Sequence, residues 1–119
     1  MVTLRPETLA RLDRVRAAIE ADGRFDAYEW KFCFVGWAAR DVGVDGECPD
    51  DFESWEEFGY ALLEPAAADL LYAPLWPAAF RADYHLGPKP GHVVAVELLA
   101  EVVRQGGLWW AEPSPREES

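Results

Sequence analysis

The side chains of this sequence that could carry chemistry are mostly carboxylates, and they are concentrated in one segment. Between Arg40 and Arg81 there are ten acidic residues and no lysine or arginine. The chain of 119 residues has a net charge of −11, so this third of the sequence holds almost all of it. Such a field repels nucleic acids and anionic membranes and attracts cationic partners. The acidic residues are Asp41, Asp45, Glu47, Asp50, Asp51, Glu53, Glu56, Glu57, Glu64 and Asp69.

A calcium site is one chemistry that this segment suggests. If Gly46 is the turn glycine of a twelve-residue calcium loop, Asp41 and Asp45 fall on the first and fifth ligand positions. The third position is then Gly43, and the twelfth, which should supply a bidentate glutamate, is Phe52. Because two required ligands are missing, we expect no metal site here.

Histidine offers a second chemistry. His85 and His92 lie seven positions apart across a turn rich in glycine and proline, and Asp83 precedes the first. A histidine with a carboxylate can form a metal-ligand pair or a general base. No third ligand or nucleophile accompanies them, so we expect His85 in a turn and His92 in the first turn of the last helix. An enzyme or accessory subunit that uses these residues remains the alternative.

The two cysteines, Cys33 and Cys48, lie fifteen positions apart in unlike surroundings. Cys33 sits among Phe32, Phe34 and Trp37, and burial in apolar surroundings raises the pKa of a thiol and leaves it inert. We therefore expect a core cysteine and no disulfide.

Known catalytic motifs are missing from the sequence. It has no phosphate-binding glycine loop, nucleophile elbow or zinc-protease motif, so we expect no enzymatic activity and no cofactor. The arginines of the first helix, Arg11, Arg14 and Arg16, are offset by acidic neighbours, so we expect no nucleic-acid binding.

Membrane insertion and export are not expected either. The amino-terminal residues lack the apolar core of a signal peptide. The longest uncharged apolar stretch, Leu70 to Phe80, is interrupted by Pro74 and Pro77 and is too short to span a bilayer. These features are typical of a soluble, reduced, cytoplasmic protein.

The elements that position these residues read as a succession of helices. Residues 6–22 carry an apolar stripe at spacings of three and four, and Gly23 occupies a C-cap position. Ser54 and Glu57 form a capping box that opens a short helix through Leu63. Prolines in the first turn predict helices over Pro65–Tyr72 and from Pro77 to about Tyr84. The last helix is predicted over His92–Gln105, with inward residues Val93, Val96, Leu99, Ala100 and Val103.

A central helix is predicted over Ala27–Val42. Asp26 and Glu29 have the spacing of a capping box, and Phe25 and Trp30 that of a hydrophobic staple. A helix apolar nearly all round belongs at the centre of a domain. Gly36 costs such a helix about 1 kcal/mol against alanine, which indicates close packing against another backbone. The apolar face comprises Trp30, Cys33, Phe34, Trp37 and Ala38, with Phe32, Val35 and Ala39 beside it.

Together these elements predict one compact, mainly α domain over residues 1–111, with five or six helices around the Ala27–Val42 helix. The first and last long helices are expected to pack against it. A polar, disordered tail is predicted over residues 112–119. The alternative is an α+β fold with a short strand pair that involves Phe32–Trp37 or Leu108–Ala111.

Most of the six tryptophans must lie in the core, since each buries a large area. The predicted exceptions are Trp55, which is framed by glutamates, and one member of the Trp109–Trp110 pair. Adjacent residues cannot both face the core, so one of the pair should be exposed or covered by a partner, for example a second copy of the chain.

Three segments resemble a group of small, uncharacterised bacterial and phage proteins. They are F-D-x-x-x-W (Phe25 to Trp30), C-F-V-G-W-A (Cys33 to Ala38) and L-L-Y-A-P-L-W-P (Leu70 to Pro77). That group carries a C-I-A-G-W-A-like helix followed by an L-F…W-P segment. The likeness covers roughly residues 8–105, although the Cys-Gly-Thr run that often precedes the group's second cysteine is missing. The resemblance implies an all-helical fold and supplies no site.

The sequence therefore predicts a small acidic protein-binding module rather than an enzyme. Clustered carboxylates steer a cationic protein partner, and an exposed tryptophan among them resembles an interface hot spot. An inhibitor, immunity protein or antitoxin would work in this way, although the charge could also serve solubility alone. The predicted partner-binding residues, called the acidic face below, are Asp45, Glu47, Asp50, Asp51, Glu53, Trp55, Glu56 and Glu57.

Overall fold

The computed structural model describes residues 1–45 and 47–112. Gly46 and the part of the predicted tail from residue 113 onward lie outside the described residues. Within them the chain forms six α-helices, two short 3-10 turns and one pair of short strands. The prediction of a mainly α domain with five or six helices is confirmed. The helices are α1 (Pro6–Asp22), α2 (Phe34–Asp41), α3 (Trp55–Leu63), α4 (Ala68–Leu71), α5 (Ala78–Leu86) and α6 (Gly91–Gln105).

Helix α1 begins and ends where the sequence predicts. Pro6 occupies the first turn, where its missing N–H costs no hydrogen bond. Gly23 adopts a left-handed conformation with φ 81° and donates its N–H to the Ile19 carbonyl. Apart from Leu9, which is partly buried, the residues of the apolar stripe are fully buried and include Leu12 and Val15.

Helix α2 is central but much shorter than predicted. It begins at Phe34 rather than Ala27, because residues 27–33 form turns. Its residues from Phe34 to Ala39 are all buried, so its central position is confirmed. The predicted strand over Phe32–Trp37 is wrong, since most of that segment is the first turn of α2.

The Asp26–Glu29 capping box does not form, because Asp26 and its neighbours have other partners. The Asp26 carboxylate accepts the Tyr28 N–H at 2.9 Å and so closes a local turn. The Ala27 N–H donates to the Tyr84 hydroxyl at 2.9 Å. The Phe25 ring packs against Phe34 with a centroid distance of 4.8 Å, rather than forming a staple with Trp30.

Two predicted helices have other bounds in the structure. The segment Pro65–Tyr72 forms a 3-10 turn over Pro65–Ala67 followed by α4. The helix predicted from Pro77 to about Tyr84 begins at Ala78 and extends to Leu86.

Helix α6 packs chiefly against α1, while α2 contacts α1 and α3. The expectation that the first and last long helices pack against the central helix therefore holds for α1, whereas α6 packs mainly against α1. The inward face of α6 also differs from the prediction, because its sequence is apolar around most of the circumference. Only Leu99 of the predicted set is fully buried, and Ala100 is exposed. The buried residues of α6 are Val94, Ala95, Leu98, Leu99 and Val102.

A two-residue strand pair closes the domain. Strands β1 (Val2–Thr3) and β2 (Gly107–Leu108) are antiparallel, with Val2 opposite Leu108. The alternative strand predicted over Leu108–Ala111 therefore forms only at Leu108, where β2 ends. Among the described residues, no helix is both long and apolar enough to cross a membrane.

Candidate functional site

The acidic face lies on the loop before α3 and on the first turn of that helix. All of its carboxylate residues are exposed. Within residues 1–45 and 47–112, only Asp45 among them forms an ion pair, at 3.5 Å from Arg40. The remaining carboxylates of the face therefore keep their charge uncompensated by internal cations.

Short-range bonds hold this loop against α3. Ser54 caps the helix, since its hydroxyl accepts the Glu57 N–H at 3.1 Å. The Glu57 carboxylate accepts the Glu53 N–H at 3.0 Å, which is one residue earlier than in a standard capping box. The Phe52 ring packs on Phe58 with a centroid distance of 4.9 Å. These contacts hold the segment directly before α3 against the first turns of the helix.

Trp55 is less exposed than the sequence predicts. It is partly buried and packs against the core, so it is not the exposed tryptophan that the sequence predicts. Its ring lies nearly parallel to that of Trp30, with an interplanar angle of 9° and a centroid distance of 6.4 Å. Trp30, which the sequence places on the buried helix face, is instead 36% exposed. Residues 27–33 form turns rather than helix, and this leaves Trp30 at the surface.

Glu56 connects the acidic face to two tyrosines. Its carboxylate accepts the Tyr72 hydroxyl at 2.6 Å and the Tyr60 hydroxyl at 3.2 Å. Burial, and then the hydrogen bond to Glu56, raise the pKa of Tyr72 well above its usual range. The hydroxyl therefore stays protonated and donates to the carboxylate at neutral pH.

Two residues of the acidic segment have structural roles instead. Asp41 accepts hydrogen bonds from Arg11 at 3.2 Å and from Arg14 at 2.9 Å. Its pKa is lowered, mainly by the hydrogen bond from Arg14. Glu64 is buried and accepts the Arg5 N–H at 2.8 Å. Asp41 ends α2 and its carboxylate is already paired with two arginines, so it is not free to act as a first calcium ligand. No group of three or more metal-ligating residues occurs in the described part of the chain.

The residues of the alternative enzyme site have different surroundings, and this alternative stays a prediction. His85 lies in the last turn of α5, not in a turn outside a helix, and its Nε2 is 3.0 Å from the Tyr28 hydroxyl. His92 lies in the first turn of α6, as predicted, beside an open polar groove lined by Asp26 and Glu29. Over residues 1–45 and 47–112, no hydrogen bond joins Asp83, His85 and His92.

The cysteines are free, as expected. Cys33 is 3% exposed, and burial raises the pKa of its thiol. Its Sγ donates weakly to the Trp30 carbonyl at 3.6 Å. Cys33 is thus a neutral core residue at neutral pH.

Trp109 and Trp110 are both partly buried, so neither is the exposed member that the sequence predicts as one of two alternatives; cover by a partner is the other. The Trp109 ring lies edge-on to Phe80 at 6.0 Å. The Trp110 Nε1 donates to the Leu75 carbonyl at 2.7 Å. Both side chains have partners within the chain, and a homo-oligomer through them stays a prediction.

One concave feature of the described residues is a cleft that the sequence did not predict. It has a volume of about 200 Å³ and lies beside the acidic face. We call it the aromatic cleft; its lining residues are Ala27, Tyr28, Trp30, Cys33, Leu71 and Tyr72. The available sequence signal was the aromatic content of the two segments that line the cleft, residues 27–33 and 71–72. Nothing in either segment indicates that the two pack together.

No protein family, curated protein or solved structure matches this chain. The resemblance to bacterial and phage proteins therefore stays a prediction.

Proposed function

We propose that this protein is a binding module whose acidic face docks on a basic surface of another protein. The observation that carries the proposal is the exposure of the face's carboxylates on a loop anchored to α3, in a segment without lysine or arginine. Charges arranged in this way accelerate association with cationic partners and select against anionic ones. An inhibitor, immunity protein or antitoxin of a nucleic-acid-binding enzyme would use the same property, because its target has a basic cleft.

The role of Trp55 differs from that of a free anchor. Trp55 is partly covered by its own chain, so it supports Trp30, which is the more exposed ring of the pair. Trp30 then provides contact area at the edge of the acidic face, and tryptophan is enriched among residues that dominate binding energy.

The test compares two variants of equal charge. The first removes three carboxylates from the acidic face (Asp50→Asn, Asp51→Asn, Glu53→Gln), and its matched control removes three carboxylates from α1 (Glu7→Gln, Asp13→Asn, Glu20→Gln). A partner is captured from the native host with the unaltered protein, and association rates are measured from about 10 to 150 mM salt, over which the Debye length falls from about 30 to 8 Å.

We expect the association rate to fall as salt rises, and the face variant to associate more slowly than the α1 control at low salt. Equal rates for the two variants at low salt would mean that the charge acts through solubility alone, and the proposal would then be wrong.

A further inference from the structure

The aromatic cleft has the size of a single side chain. Its volume of about 200 Å³ is below the roughly 300–1,000 Å³ of pockets that hold drug-sized ligands. Its floor is closed by Cys33 and Leu71, which are 3% and 4% exposed. The cleft is therefore a shallow, apolar-floored depression that a partner could fill with one residue.

Its walls are aromatic rings whose hydroxyl groups are already engaged. The Tyr28 hydroxyl is bonded to His85, and the Tyr72 hydroxyl donates to Glu56. What remains for an occupant is the ring surface of Tyr28, Trp30 and Tyr72. Aromatic ring faces attract cations through their quadrupole, and tryptophan does so most strongly.

Negative charge borders the cleft at one wall. The Glu56 carboxylate lies 2.6 Å from the Tyr72 hydroxyl, and Trp55 next to it stacks on Trp30. The acidic face and the aromatic cleft are thus continuous through these two contacts. A cation steered by the face would meet ring surfaces and a carboxylate together at this edge.

We infer that the aromatic cleft receives an arginine side chain of the basic partner, with the guanidinium against the Trp30 and Tyr72 rings and near Glu56. This inference rests on the proposed function and specifies its contact. Arginine suits the site better than lysine, because its planar guanidinium is weakly hydrated, stacks on aromatic rings and presents several donors to a carboxylate. Its aliphatic stem matches the apolar floor.

The experiment uses short, amidated glycine–serine peptides that differ only at one central residue. That residue is arginine, its uncharged counterpart citrulline, or lysine. Each peptide is titrated into the ¹⁵N-labelled full chain at low salt, and the tryptophan indole resonances are followed. We expect saturable shifts of Trp30 and Trp55 with the arginine peptide, and weaker binding of the other two.

Two variants locate the contact. Trp30→Leu should weaken the arginine peptide roughly threefold to thirtyfold, the range of a cation–π contact, whereas Trp109→Leu should leave its affinity unchanged. Glu56→Gln and Glu47→Gln each remove one carboxylate of the acidic face, but only Glu56 borders the cleft. Glu56→Gln should therefore weaken the arginine peptide several-fold more than Glu47→Gln.

The outcomes separate this inference from the proposed function. Equal losses for Glu56→Gln and Glu47→Gln, or an unchanged affinity in Trp30→Leu, would overturn the arginine site even where a partner still shows salt-steered association. Citrulline binding as tightly as arginine would also overturn it, and so would lysine binding equally well. The salt dependence of the captured partner judges the proposed function independently of these titrations.

Discussion

Substitution of Gly36 by alanine is expected to destabilise the protein, although alanine is the better helix former. Gly36 lies inside α2, and a methyl group added there would overlap the backbone carbonyl groups of Trp30 and Lys31. These are main-chain atoms, so they cannot rotate away as a side chain can. The overlap is expected to cost about 3 kcal/mol, the upper part of the range for overpacking.

The gain in helix propensity offsets about 1 kcal/mol of this cost. The net loss in the free energy of unfolding is thus about 2 kcal/mol, which corresponds to a fall in Tm of roughly 5–10 °C for a domain of this size. The measurement is urea unfolding followed by far-ultraviolet circular dichroism, with the m-value compared between variants to exclude a change in the unfolded state.

Gly59→Ala is the matched control, because Gly59 is also buried inside a helix. A methyl group there would lie 2.7 Å from a Val35 side-chain carbon, and a side chain can adjust more easily than a carbonyl group. We expect Gly59→Ala to lose less stability than Gly36→Ala. A Gly36→Ala protein as stable as the unaltered chain, or no less stable than Gly59→Ala, would refute the reasoning.

Three further outcomes are expected from electrostatics, capping and backbone strain. The pKa of Asp41 is lowered in the folded state, mainly by the hydrogen bond from Arg14. Its contribution to the free energy of unfolding is therefore present above the usual aspartate pKa and is lost as pH falls through the folded pKa. Asp41→Asn should cost about 1 kcal/mol at pH 7 and progressively less in acid unfolding curves. Ser54→Ala removes the cap of α3 and should cost about 1 kcal/mol in urea unfolding, while Ser54→Asp should retain most of the stability. Glu64 has φ 79°, which is strained for any residue except glycine. Glu64→Gly and Glu64→Ala both lose the hydrogen bond to Arg5, so they differ only in this strain. The free energy of unfolding, measured by thermal unfolding, should be about 1 kcal/mol higher for the glycine variant.

The sequence predicts helices accurately where the determining contacts are local. The carboxyl end of α1 and the start of α3 depend on Gly23 and Ser54, which bond to residues within four positions. The close approach at Gly36 is also foreseen, because a glycine in an apolar helix needs a packing reason. The identity of the neighbouring backbone was not foreseeable, since it belongs to a segment predicted to continue the same helix.

The segment before α2 shows why the rest could not be predicted. Its capping-box residues have the right types and spacing, yet the Ala27 N–H bonds to Tyr84, 57 positions along the chain. Phe25 likewise packs against Trp76, with a centroid distance of 6.1 Å. These distant partners outweigh the local preference for helix. No local pattern within residues 24–33 contains that information.

The same departure from helix creates the candidate site. A continuous helix over Ala27–Val42 would have placed Trp30 on the buried face with Cys33 and Trp37. The turns instead bring Trp30 beside Trp55 and open the aromatic cleft at the edge of the acidic face. Sequences that specify their fold agree across local and global levels, and departures from that agreement are expected at functional sites. Composition alone identifies an acidic surface, but the combination of charge with exposed aromatic rings depends on this non-helical segment. We therefore expect substitutions that return residues 27–33 to helix without a change of net charge to abolish binding in the arginine peptide titration.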